Sequence, residues 1–238
     1  MTAPGKSPLR GIRLLMHRVL GRKTTVIDGL TVSCDPALVP RSVATALIKG
    51  SYEAPERQLV RDAIRPGDRV VEIGTGVGVV SLLCNRLAGP GNVLSFEANA
   101  GLEHVIRENF GLNGMTPRLR LKAVTTDGAP IRFFRNANVV SSSIHDRGLD
   151  AEVVEVESEP IDRVLAEEAA SVLVIDVEGA EIALLASGGV GRLREIIVET
   201  HPHIVGETET GAMIANLVSR GFVETGRIHK NVRLTRRS

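Results

Sequence analysis

Three groups of residues in this chain stand where they can do chemistry. The first is a glycine turn: Gly74, Thr75, Gly76 and Gly78 follow directly on Arg69-Val70-Val71-Glu72-Ile73, a β-branched apolar run. Val77, Val80, Ser81, Cys84 and Leu87 then recur at helical spacing, so strand, turn and helix succeed one another. Such a corner binds nucleotides, because glycine admits close backbone approach and the helix N-terminus offers free N–H groups. The second group is acidic. Glu72 stands two residues before the first glycine, and Glu97 closes the next apolar run, Asn92 to Glu97, 25 residues on. The third group ends two later apolar runs: Asp176 after Ser171 to Ile175, and Glu199 and His201 after Arg194 to Val198.

The spacing discriminates between nucleotides. A dinucleotide fingerprint places its third glycine at position 79, which is Val79 here. Glu72, read as pointing its carboxylate at the ligand, repels a pyrophosphate but attracts a ligand carrying a sulfonium and an amino group. Glu97 lies where the second strand of an open α/β sheet presents an acid to ribose hydroxyls. S-adenosylmethionine is therefore the expected ligand, with Glu72, Gly74, Thr75, Gly76, Gly78 and Glu97 at its site. An NAD(P)-dependent oxidoreductase shares the sheet and the second acid, but Glu72 and Val79 speak against it. A non-catalytic nucleotide-binding module is a third alternative, and acids at three strand ends speak against that.

Composition narrows the class. The chain has 238 residues, 43% hydrophobic and 24% charged, with a formal net charge of +1. That balance is ordinary for a globular protein and gives no global field toward nucleic acid or membrane. Aromatics are 3%, so base-stacking platforms are not expected and the core falls to Val, Ile, Leu and Ala. Cys34 and Cys84 make neither a disulfide framework nor a metal cluster, which fits a reducing cytoplasm. No run reaches the 18 or more apolar residues of a membrane span.

The elements that must position these residues follow in order. Leu9 to Leu20 reads as a basic amphipathic helix, with Leu9, Ile12, Leu15, Met16, Val19 and Leu20 on one face and Arg10, Arg13, His17 and Arg18 opposite. Packing on the domain or on a second subunit, giving a homo-oligomer, is favoured over binding a membrane surface. Thr24–Ile27 and Leu30–Ser33 flank Asp28-Gly29, a hairpin signal, and suggest a substrate-side cap. Helices are expected over 40–49 and 56–64, with Tyr52 and Glu53 in a loop over the cofactor. After the second strand, 100–112 is helical and Arg118 to Val124 a third strand. The turn after it should lie beside the first strand, with Thr125 and Asp127 bordering the adenine. Strands at 131–135 and 153–156 fall outside the alternation. Between them, residues 136–150, with Ser141-Ser142-Ser143 and His145-Asp146, form a loop long enough to be functional and are read as facing the substrate. Helices over 161–168 and 208–220 and a closing hairpin, 222–226 with 231–234, complete a doubly wound, mostly parallel seven-stranded Rossmann-like sheet with one antiparallel edge strand. Residues 1–54 form an N-terminal extension and 55–238 the nucleotide-binding domain.

Four blocks carry a family resemblance: Val71 to Gly78; Phe96-Glu97-Ala98-Asn99; Ile175-Asp176-Val177-Glu178-Gly179-Ala180-Glu181; and Val198-Glu199-Thr200-His201-Pro202. Over roughly residues 55 to 235 the chain resembles FkbM-type methyltransferases, a branch of the class I S-adenosylmethionine-dependent enzymes. The first two blocks are common to many class I enzymes, and the last two are the specific ones. The resemblance implies methyl transfer to oxygen, often a hydroxyl of a sugar or natural-product scaffold. Where the family usually has Pro after the second-strand acid this chain has Ala98, which should alter the turn beside the cofactor without removing Glu97.

In-line methyl transfer requires acceptor oxygen, methyl and sulfur to be aligned, and the hydroxyl proton to be removed where a base is used. Asp176 and His201 are the catalytic candidates, His201 as a general base with an unperturbed pKa near neutrality. Glu181, at a helix start, is as well explained by the helix dipole. Asp176, Glu178, Glu199 and His201 are also oxygen and nitrogen donors on neighbouring strand ends. Mg²⁺ is left open, because no compact ligand spacing supports it. A small-molecule hydroxyl acceptor, with no nucleic acid, is the expected partner.

Overall fold

A computed structural model describes residues 14–17, 19–135 and 152–237. The loop expected to face the substrate, 136–150, lies outside the described residues, as do Leu9 to Arg13 and Arg18 of the basic helix.

The β-branched runs became strands and the glycines between them became turns. The elements are β1 (Thr24–Ile27), β2 (Leu30–Ser33), α1 (Arg41–Lys49), α2 (Ala54–Ala63), β3 (Val70–Ile73), α3 (Val79–Ala88), β4 (Val93–Phe96), α4 (Glu103–Gly111), β5 (Arg118–Arg120) and β6 (Ala123–Thr125). They continue with β7 (Ile131–Arg135), β8 (Glu152–Val156), β9 (Ser158–Pro160), α5 (Ile161–Glu167), β10 (Val172–Ile175), α6 (Glu181–Leu185), β11 (Glu195–Glu199), α7 (Pro202–Val205), α8 (Glu207–Ser219), β12 (Phe222–Ile228) and β13 (Asn231–Arg236).

Seven strands form one sheet in the order β12-β13-β11-β10-β3-β4-β5. β3 pairs in parallel with β10 on one side and β4 on the other. The chain winds outward in opposite directions from that point, which opens a crevice at the carboxyl ends of β3 and β10. One strand is antiparallel, as expected, and the closing hairpin supplies it. It is β13, seated between β11 and the outermost strand β12.

Alternation along the central strands divides the core. Val70, Val172 and Val174 face a layer built by α1 to α4, which also takes in Ile27, Leu30 and Val32 of the hairpin. Val71, Ile73, Leu173 and Ile175 face the layer of α5, α6 and α8. Residues 24–63 therefore share a core with the nucleotide corner.

Three expectations change. Arg118 to Val124 is two strands: β5 stays on β4, whereas β6 leaves the main sheet and pairs with β9. Lys122, at the break, reaches the Glu157 and Glu159 carboxylates at 3.1 and 3.7 Å. β6 is therefore not a strand of the sheet that holds β3. The hairpin β1–β2 does not cap the crevice but lies on α4, where Ser33 N–H donates to Asn109 at 2.6 Å and Thr31 N–H to Asn113 at 2.9 Å. The described apolar residues of the basic helix after Leu14 do not pack on the domain. Among its described residues Leu15, Met16, Val19 and Leu20 are exposed, while His17 is buried with Nε2 2.8 Å from the Thr24 carbonyl oxygen.

Candidate active site

The glycine turn is held against both neighbouring strands. The N–H groups of Gly74 and Thr75 both donate to the Phe96 carbonyl, at 3.0 and 3.3 Å. Gly74 has φ +92°, and a Cβ there would stand 1.9 Å from the Asp176 backbone oxygen. Only glycine lets β3 and β10 meet here. Gly76 is open to the crevice, below the Tyr52 hydroxyl and the Glu53 carboxylate. Two residues expected at the ligand serve the turn instead. Thr75 is buried, its hydroxyl donating to Glu72 at 3.2 Å and to Phe96 O at 3.1 Å. Gly78 caps α3 and packs on Ile106 of α4.

The two acids of the first strands have different roles. Glu97 lines the crevice, with its carboxylate accepting from Gly76 N–H at 2.9 Å and Asn99 N–H at 2.7 Å. Each oxygen keeps a lone pair for a further donor. Burial, opposed by those N–H donors, brings its pKa up to about 7. Glu72 does not line the crevice, which corrects its assignment as an acid aimed at the ligand. Ile73 lines it, and alternation turns the neighbouring Glu72 side chain the other way, under α3. There burial raises its pKa to about 7 against hydrogen bonds involving Ser95, Ser81 and Thr75. Ala98 and Thr125 line the crevice, but Asp127 does not. Its carboxylate accepts from Ala129 N–H at 3.0 Å and shapes its own turn.

The later strands bring Asp176, Glu199 and His201 together. His201 Nε2 lies 3.5 Å from both Asp176 Oδ1 and Glu199 Oε1, and Nδ1 lies 3.4 Å from Glu181 Oε1. Burial works against a charged ring, but Glu181, Glu199 and Asp176 outweigh it and lift the His201 pKa to about 9. His201 is therefore an imidazolium at neutral pH, which removes it as the general base. Asp176 lines the crevice, its pKa brought up to about 7 by burial and Glu199 against the pull of His201. Glu199 is held at about 2, where hydrogen bonds from His201 and Lys230 outweigh its burial. Glu181 is buried and structural, accepting from Gly179 N–H at 2.6 Å and His201 N–H at 3.0 Å. Asp176, Glu199 and His201 offer ligand atoms all within 4.8 Å of one another, compatible with a cation. Lys230 Nζ is already bonded to Glu199 Oε1.

Tyr52 and Glu53, in the loop preceding α2, line the crevice over Gly76. Buried Arg57 fixes that loop, donating to the Tyr52 and Gly50 carbonyls at 2.9 Å each and pairing with Asp28 of the hairpin turn. The hairpin thus supports the site without lining it. Lys122 also lines the crevice and was missed, because it sits in the strand break that local patterning does not reveal.

These pKa values set a stability profile. Glu72, Glu97 and Asp176 all titrate near 7 when folded, above their ordinary 4.5, 4.5 and 3.8. Their protonated forms favour folding, so that contribution is present in acid and is lost as pH rises through 7. His201, lifted from 6.5 to about 9, acts in the same direction over its own range. Glu199, lowered to about 2, acts only in more acid solution. The melting temperature of the ligand-free protein should therefore fall between pH 5 and pH 8 in differential scanning fluorimetry. A rise over that interval would contradict the buried acids.

The crevice combines the glycine corner, the buried acid Glu97 and an acid-lined far wall, on the fold of a class I S-adenosylmethionine-dependent methyltransferase. The sequence profile of the Methyltransferase FkbM domain matches residues 72–224, and the chain belongs to that family. No curated protein sequence matches the chain significantly. Among solved structures it is similar to a ribosomal protein L11 methylase from Lactobacillus delbrueckii subsp. bulgaricus (14% identity, 86% of this chain and 84% of that one, TM-score 0.49). An rRNA methylase from Streptococcus thermophilus (9%, 76% and 94%, 0.44) is another. A third is a TehB-like SAM-dependent methyltransferase from Corynebacterium glutamicum (9%, 76% and 87%, 0.42). Among the described residues no helix is long and apolar enough to cross a membrane.

Proposed function

We propose that this enzyme methylates a hydroxyl group of a small molecule, a sugar or natural-product scaffold. The observation that carries this is the crevice wall beside the glycine turn. Asp176 presents a carboxyl whose pKa of about 7 suits a base for a hydroxyl proton at neutral pH. Glu178 shares the lining, and together with Asp176 it outnumbers Lys122, a balance that disfavours a phosphate backbone.

S-adenosylmethionine supplies an electrophilic methyl group on a sulfonium. Glu97 would hold its ribose, Gly74 and Gly76 admit its backbone-side edge, and Phe96, Ala98 and Thr125 border the nucleoside end. Asp176 accepts the acceptor's proton, while imidazolium His201 and Lys230 balance the carboxylates around it. In this scheme the cluster carries its own cations, and Mg²⁺ is not needed.

The test is methyl incorporation from labelled S-adenosylmethionine into a panel of sugars and polyols, with RNA and protein as competitors, with and without chelator. Methylated hydroxyl compounds and chelator-resistant turnover are expected. Label entering only RNA or protein would overturn the acceptor class. Turnover lost to chelator and restored by Mg²⁺ would assign Asp176, Glu199 and His201 to a metal.

A further inference from the structure

We propose that Glu53 is the recognition group for the α-ammonium of the cofactor's methionine moiety. The inference rests on the cofactor occupying the crevice, and it adds a residue from the N-terminal segment to the site.

Glu53 precedes α2 with φ +47° and ψ +30°, a left-handed conformation uncommon for a residue with a side chain. Its side chain makes no capping hydrogen bond to the helix it introduces. It lines the crevice instead, with Oε1 3.5 Å from the place a Cβ on Gly76 would take. Left-handed residues with side chains concentrate at sites where geometry serves a ligand.

The other oxygen, Oε2, is buried and has no hydrogen-bond partner. A buried acceptor without a donor is costly, so a donor arriving with the ligand is favoured. Burial, together with the fields of Asp176, Glu72 and Glu199, raises the Glu53 pKa well above the carboxylate range, against a hydrogen bond with the Tyr52 side chain. A cation placed there relieves that crowding. The cofactor carries two cationic groups, and only one can donate a hydrogen bond to Oε2. The sulfonium has no hydrogen to give, whereas the ammonium has three. Glu97 lies on the far side of Gly76, so ribose at Glu97 and ammonium at Glu53 would straddle the glycine turn.

Titration calorimetry with S-adenosylhomocysteine and with its deaminated analogue, on wild type and Glu53→Gln, separates the possibilities. Glu53→Gln should weaken S-adenosylhomocysteine by about 10–100-fold, the range for a lost charge-assisted hydrogen bond. Both proteins should bind the deaminated analogue alike. Glu53→Asp, one methylene shorter, should show the same selective loss if the first variant folds poorly. Equal losses for both ligands, or none for either, would overturn the ammonium assignment while leaving the cofactor site intact. A wild type blind to S-adenosylhomocysteine would instead overturn the cofactor's place in the crevice, and this inference with it.

Discussion

Asp176→Asn is expected to slow single-turnover methyl transfer by about 10²–10⁴-fold, the scale of a lost general base. The affinity for S-adenosylhomocysteine should stay within about threefold, because an amide keeps the shape and one hydrogen-bond acceptor. The carboxyl ends β10 at the crevice wall, its side chain 27% exposed and so reachable by an acceptor. A pH profile adds a second readout. The wild-type rate should rise through an apparent pKa near 7 as Asp176 ionises, and that limb should vanish in the variant. His201 cannot replace it, since an imidazolium with a pKa of about 9 has no free lone pair at neutral pH. A variant with the wild-type rate would mean that Asp176 takes no proton.

Gly74→Ala should cost roughly 3–5 kcal/mol of folding stability, combining strain at positive φ with overpacking. The new methyl would lie 1.9 Å from a backbone oxygen of Asp176, and no rotamer change can clear it. Relief requires β3 and β10 to separate, yet Asp176 N–H donates to the Ile73 carbonyl at 2.9 Å across that seam. Gly78→Ala is the control. It shares the positive φ, but its methyl would meet the Ile106 side chain at 3.3 Å, which can shift. Urea denaturation should rank the pair clearly, with Gly78→Ala losing about 1–2 kcal/mol. Equal stabilities would mean that the two strands do not approach as described.

The corner at 70–78 could be read directly because its cues are local: a β-branched run, glycines at fixed spacing and a helical repeat. What failed depended on distant partners. Glu72 was placed at the ligand because it ends a strand, but spacing from a glycine does not say which face a side chain takes. Its partners Ser81 and Ser95 settle that. His201 looked like a base because nothing near it in sequence shows that Asp176 and Glu181, 25 and 20 positions away, converge on its ring. The split at Lys122 arises from pairing between β6 and β9, more than 30 residues apart. Local polarity could not separate Glu53 from an ordinary surface turn. Its left-handed backbone and donor-less oxygen, visible only after folding, distinguish it.

Because β13 sits between β11 and β12, this sheet cannot be completed before residues 231–236 have been synthesised. Until residues 231–236 emerge, β11 presents a bare outer edge and β12 has no neighbour to join. Glu195, fully buried in the finished protein, also waits for Arg233 at 2.9 Å and Thr235 at 2.8 Å. The glycine corner leaves the ribosome more than 150 residues earlier. The sheet thus closes on the timetable of β13, and in the interval the open apolar edge is exposed to mispairing or chaperone capture.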